Sequence, residues 1–375
     1  MDNNYNIGYS VNMQNLKWYN PNKFNPLDST LAYLIMLVSF FLLPYGFQYF
    51  VQLLVSFGVR DIYVLLSISA IVSQAVILGI ALIYSKILNV NAFNGGGFKS
   101  GAKPITVLMS AVLIMGMLVM FSPVTETFVD GIYRLGGTTY NYDYNGNELV
   151  ALFYALVLSS VLPAICEELL FRGIILRGLL PYGKTFAIVM SSLMFALAHG
   201  SFSQLLYQFL VGLAIGTVVV MTKNIMLGMI MHFTNNFFAS IYSIIIGVSE
   251  NISAQVKYIS TVLCIVLGSI CLITGIIYFM KYAFSRYKKQ LLKEKTETNI
   301  KSCLSFDKTF ESATFINYDE PIRYSTADEP INFYHKTKGF ITMRRKVKNL
   351  IPLLLLAFDL LFAVMLILND YFSLI

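Results

Sequence analysis

The chain holds three histidines, and two of them, His199 and His232, lie inside apolar stretches. Another apolar stretch carries CEELLFRG, which places Glu167, Glu168 and Arg172 close together. The stretch around His232 continues as MHFTNN and adds the amide of Asn236. Carboxylates, imidazoles and an amide are the groups that move protons, hold zinc or line an ion path. A charged side chain at mid-bilayer costs about 2.5–3.5 kcal/mol on insertion scales, so intramembrane ionisable groups mark functional sites by default. A lone histidine on an apolar helix is usually a packing residue. Two of them beside a glutamate pair, in a chain this poor in histidine, point to chemistry. His335, the third, lies in a polar segment and receives no role.

Helical geometry sorts these residues by face. Glu168 and Arg172 stand at i, i+4 with the acid N-terminal, so they share a face and neutralise each other. Glu167 is turned about 100° from Glu168 and points elsewhere, free to face a cavity. Phe195 and His199 share a face by the same spacing, as do His232 and Asn236. If the helix bearing the acids continues to Pro181, Glu167 lies about 20 Å from its cytoplasmic end. His199 then lies about 22 Å above Lys184, and His232 about 12 Å above Lys223. Those depths agree within two helical turns and allow one site in the inner half of a bilayer.

The elements that must position them are membrane helices. The chain has 375 residues, of which 57% are hydrophobic and 13% charged. Soluble domains carry roughly 25% charged residues, so the composition reads as an all-α polytopic membrane protein. Apolar windows of about 20 residues mark the spans. They fall at 30–57, 62–86, 104–122, 148–172, 185–200, 203–222, 225–247, 256–283 and 350–369. This predicts a bundle of eight to nine transmembrane helices around an intramembrane polar cavity. The windows at 185–200 and 203–222 form a hairpin with almost no loop.

Lysine and arginine concentrate on one side of these spans, from Lys17 and Lys23 to the basic run 281–295. The other side receives only Arg60, Arg134 and Lys257. The bias predicts a cytoplasmic N-terminal tail, 1–29, in a multi-pass protein of the cell membrane. The first 29 residues lack the basic and apolar regions of a signal peptide. The transmembrane core runs over 30–283, and residues 350–375 hold an additional span. A segment at 123–147 reads as an outside loop. A cytoplasmic insert at 284–349 is basic, then β-like, with DEPI at 319–322 and 328–331. The net charge of +7 is met by anionic lipid, and no nucleic-acid role is indicated. Cys166, Cys264, Cys271 and Cys303 form no CxxC pair.

EExxxR (Glu167, Glu168, Arg172), FxxxH (Phe195, His199) and HxxxN (His232, Asn236) follow one another on successive spans. Together they resemble the CPBP family, the CAAX-processing and bacteriocin-processing intramembrane proteases also called the abortive-infection family. The resemblance covers about 148–247. It implies an endopeptidase acting on a membrane-associated peptide or lipidated protein. On the family's pattern Glu167 activates water, His199 helps to hold it, and His232 with Asn236 donates to the oxyanion. Glu168 with Arg172 orients the site or meets a charged part of the substrate.

Peptide hydrolysis needs a base for water and donors for the developing oxyanion. A metal-free site meets both needs from these side chains, with no cofactor. The alternative is zinc on Glu167, His199 and His232, three ligands with an open fourth position. No HExxH pair exists, and Asn236 is a poor zinc ligand. Ser201, Asp359 and Cys166 fit serine, aspartyl and cysteine mechanisms poorly. Two non-enzymatic readings stay open, a peptide-binding immunity protein and an ion- or proton-coupled transporter. The insert and the ninth span lie outside the common pattern, and the substrate stays open.

Overall fold

A computed structural model describes residues 24–90, 92, 101–134, 148–248, 254–313 and 352–368, and its regular structure is helical throughout. In chain order the helices are α1 (Pro26–Ser56), α2 (Ile62–Ile87) and α3 (Pro104–Arg134). Then come α4 (Leu149–Tyr182), α5 (Lys184–Leu197) and α6 (Phe202–Thr222). The series ends with α7 (Ile225–Val248), α8 (Ala254–Ala313) and α9 (Pro352–Leu368). Six of them, α1, α2, α3, α4, α6 and α8, contain spans long and apolar enough to cross a membrane. The other three carry shorter apolar helices. The protein is a polytopic bundle of membrane helices, and each helix answers to one of the nine apolar windows.

Two boundaries differ from the sequence reading. The expected outside loop begins as helix, because α3 runs on to Arg134. Pro123 removes the N–H that would reach the carbonyl of Val119, and the Ser122 hydroxyl donates to that carbonyl instead at 3.2 Å. The helix therefore passes through its proline. Likewise α8 continues past the expected span end at 283 to Ala313, so the basic start of the insert is helical. The rest of both segments, with the DEPI pair and His335, lies outside the described residues. The chain forms two units, Met1–Gly275 with Ile351–Ile375, and Ile276–Leu350. Within the second, Lys293 and Glu297 pair at 3.8 Å on an exposed helical face.

In the first unit the core gathers on α4. A capping box at Asn25 and Asp28 starts α1. One turn later the Ser29 hydroxyl donates to the carbonyl of Ile175 at 2.9 Å. A Cβ on Gly178 would collide with Ser29 and Asn25, so glycine there lets α1 cross α4 closely. The Tyr33 hydroxyl donates to the carbonyl of Met194 at 2.8 Å and ties α1 to α5. The α5–α6 hairpin turns at Gly200, whose φ of +65° suits glycine. A Cβ on Gly212 would stand 2.9 Å from the Ser192 side chain, so the GxxxG of α6 serves helix packing.

Candidate active site

The acids sit on a helix whose winding changes twice. Within α4, π-helical turns at Tyr154–Val161 and Phe171–Ile175 flank the α-helical stretch Leu162–Leu170. Single π turns of this kind are frequent at functional sites. Pro163 also has no N–H to give the carbonyl of Ser159, four residues back. Asn236 of α7 fills that place, its Nδ2 donating to the Ser159 carbonyl at 3.0 Å.

Glu168 is 0% exposed and lies wholly within protein. Its Oε1 accepts from Arg172 Nη1 at 2.8 Å and stands 3.0 Å from Nδ1 of His232. Its Oε2 has no hydrogen-bond partner among the described residues and packs against Gly228, where a Cβ would stand only 2.9 Å from it. Arg172 has a second contact, its guanidinium lying 4.5 Å over the Phe195 ring. The ion pair at i, i+4 is therefore as the spacing predicts, inside a fully packed setting.

Glu167 is different. Its side chain is 12% exposed, the most open of the charged groups here. Its Oε1 accepts from Gln74 Nε2 of α2 at 2.7 Å. Its Oε2 stands 3.9 Å from Nε2 of His232, too far for a hydrogen bond. The two carboxylates thus leave α4 in different directions yet reach opposite nitrogens of one imidazole. The expectation that Glu167 points elsewhere holds for its exit from the helix and fails at its tip. The side chain is long enough to return to the histidine that its neighbour holds.

His199 joins through Phe195. Its Nδ1 lies 2.8 Å from the carbonyl of Phe195, and its ring meets the Phe195 ring edge-on at 4.9 Å. The same phenyl ring meets His232 at 5.6 Å. No hydrogen bond joins His199 to Glu167 among the described residues. Asn236 is held at both ends, since its Oδ1 also accepts from Asn235 Nδ2 at 3.1 Å. Asn235 in turn accepts a hydrogen bond from the Tyr207 hydroxyl of α6.

Gln74, Tyr207 and Asn235 were not singled out in the sequence. Gln74 had a signal, as a buried amide within the apolar window 62–86. Asn235 and Tyr207 had little, because their link spans two helices with no shared spacing. The other candidate nucleophiles find no support. The Ser201 hydroxyl pairs with Ser203 at 2.8 Å, and Cys166 is buried. As to zinc, no group of three or more His, Cys, Asp or Glu side chains among the described residues is gathered so as to hold a metal ion.

Residues 149–238 match the family model of the type II CAAX prenyl endopeptidase, Rce1-like. This stretch is an Rce1-like domain of the CPBP family. No curated protein matched the chain. No solved structure matched it either. The Rce1-like domain contains Glu167, Glu168, Arg172, His199, Tyr207, His232, Asn235 and Asn236. Gln74 lies outside it, so a helix beyond the domain supplies a direct contact to one of its carboxylates. At family level the domain is that of a membrane endopeptidase.

Proposed function

We propose that the chain is an intramembrane endopeptidase that hydrolyses a peptide bond of a membrane-associated substrate with Glu167 as general base. The observation that carries this reading is the shared imidazole. His232 lies between a buried, ion-paired Glu168 and a more open Glu167 whose Oε2 is unbonded. The paired acid fixes the ring, and the other acid stays available to water.

Water on Glu167 Oε2 gives a proton to that carboxylate as its oxygen attacks the scissile carbonyl carbon. His199, with Nδ1 against a backbone carbonyl, turns Nε2 to the water. The tetrahedral oxyanion takes hydrogen bonds from His232 and from the Asn236 N–H not spent on Ser159. An imidazolium at His232 donates from both nitrogens, Nδ1 to Glu168 and Nε2 to the oxyanion. Collapse breaks the C–N bond, and the proton on Glu167 passes to the leaving amine. No step requires a metal. Glu168 and Arg172 hold the geometry.

The match to a prenyl endopeptidase model supports a lipidated CAAX-type end over a soluble peptide as the substrate. The lysine and arginine bias puts the N-terminus and the 284–349 insert on the cytoplasmic face of the cell membrane. The test is cleavage of a farnesylated CAAX-type reporter by purified full-length protein, wild type beside Glu167→Gln. Equal turnover by the two would end the reading. A chelator arm belongs to the same assay, with turnover expected to survive. One zinc per chain, with activity lost to chelator and restored by zinc, would establish the metalloprotease instead.

A further inference from the structure

Gln74 sits mid-way along α2 between hydrophobic neighbours such as Ile71 and Ile77, and it is 8% exposed. Half of its amide is in use, since Nε2 donates to Glu167 while Oε1 is buried with no partner among the described residues. A buried amide with an idle acceptor lowers stability, so packing does not account for it. An aliphatic side chain would suit that wall better. Among the described residues its side-chain hydrogen bond is the one to Glu167 Oε1, at 2.7 Å.

That contact decides where the other oxygen goes. Glu167 Oε2 is 3.9 Å from His232 and is fixed there by no hydrogen bond of its own. A glutamate side chain turns freely about three bonds, and a carboxylate pinned at one oxygen cannot swing the other away. Gln74 is also neutral, so it holds the carboxylate without an ion pair that would quench it. We propose that Gln74 is a positioning residue for the hydrolysis, holding Glu167 so that Oε2 stays turned toward His232. The inference rests on Glu167 as the base. It places part of the reaction's geometry on a helix outside the Rce1-like domain.

The experiment is a double-mutant cycle in full-length protein with the farnesylated CAAX-type reporter. Gln74→Met keeps the length of the side chain and removes the donor. It should lower kcat by about 10- to 100-fold, the scale of a catalytic group displaced by an ångström, with KM within about twofold. In a Glu167→Asp background the shortened carboxylate lies beyond the Gln74 amide. There Gln74→Met should cost less than about twofold more. Equal losses in the two backgrounds, an effect on KM alone, or no loss of kcat would overturn the proposal. Should Gln74→Met fail to fold, Gln74→Asn, which withdraws the amide by one methylene, takes its place under the same criteria. A wild type that leaves the reporter intact counts against the CAAX reading alone. The inference is then read from a structure of Gln74→Met, and an Oε2 still 3.9 Å from His232 Nε2 overturns it.

Discussion

Two places in this bundle bury carboxylates, and they do so in opposite ways. On α4, Glu168 is surrounded by a guanidinium, an imidazole and the close approach of Gly228. On α9, Asp359 is 0% exposed, and neither of its oxygens has a hydrogen-bond partner among the described residues. Burial of a charge is costly unless it is paired, and both acids are equally removed from solvent. What separates them is the company supplied by neighbouring helices. Partners from α4 and α7 converge on the first acid, while among the described residues none bonds the second. A buried acid alone therefore says little; a buried acid with a counter-charge and an imidazole on one oxygen marks where a fold has committed its polar groups.

The contrast is open to test, and the largest effect should come from the open member of the α4 pair. Glu167→Gln should lower turnover by about 10²–10⁴-fold, the usual weight of a general base, while the melting temperature barely moves. Glu168→Gln should act first on stability. It leaves Arg172 without its counter-charge in a dry interior, which costs about 3–5 kcal/mol in stability by detergent melt. If the two variants exchange behaviours, the roles of the acids exchange with them. Asn236→Ala should cost about 10²–10³ in turnover, the scale of one lost oxyanion donor. It should also destabilise the protein modestly, because the carbonyl of Ser159 loses its donor. Turnover within tenfold of wild type would remove Asn236 from the reaction. The smallest change belongs to α9. Asp359→Val removes an unpartnered polar group and should leave stability unchanged or raise it by about 1 kcal/mol. A clear drop in melting temperature would mean that the two regions are more alike than their contacts suggest.

Much of the site was legible because helical spacing is a local rule. Glu168 with Arg172, Phe195 with His199 and His232 with Asn236 each follow from four-residue separation on one helix. The bundle itself follows from the length of the apolar runs. What escaped is long-range. Nothing in the spacing relates Gln74 to Glu167, ninety-three positions away. Nor does any local pattern show that the side chain of Glu167 bends back to the imidazole held by Glu168. Helix ends were misjudged where a local signal was locally compensated. The apolar window stops at 122, yet the helix passes Pro123, where the hydroxyl of Ser122 serves the carbonyl of Val119. Past residue 283 the basic residues mark the end of the apolar span, but a helix needs no apolar face to continue to Ala313.

The gap that Pro163 leaves in α4 has one more consequence. Asn236 reaches across to the carbonyl that the proline cannot serve, so a hydrogen bond ties α7 to α4 at that point. The two helices are geared together like the halves of a coded clasp. A lineage that exchanged Pro163 for an ordinary residue would offer that carbonyl a donor from within α4 and leave Asn236 to depend more on Asn235. Proline and asparagine, on different helices, are thus expected to be inherited as a couple.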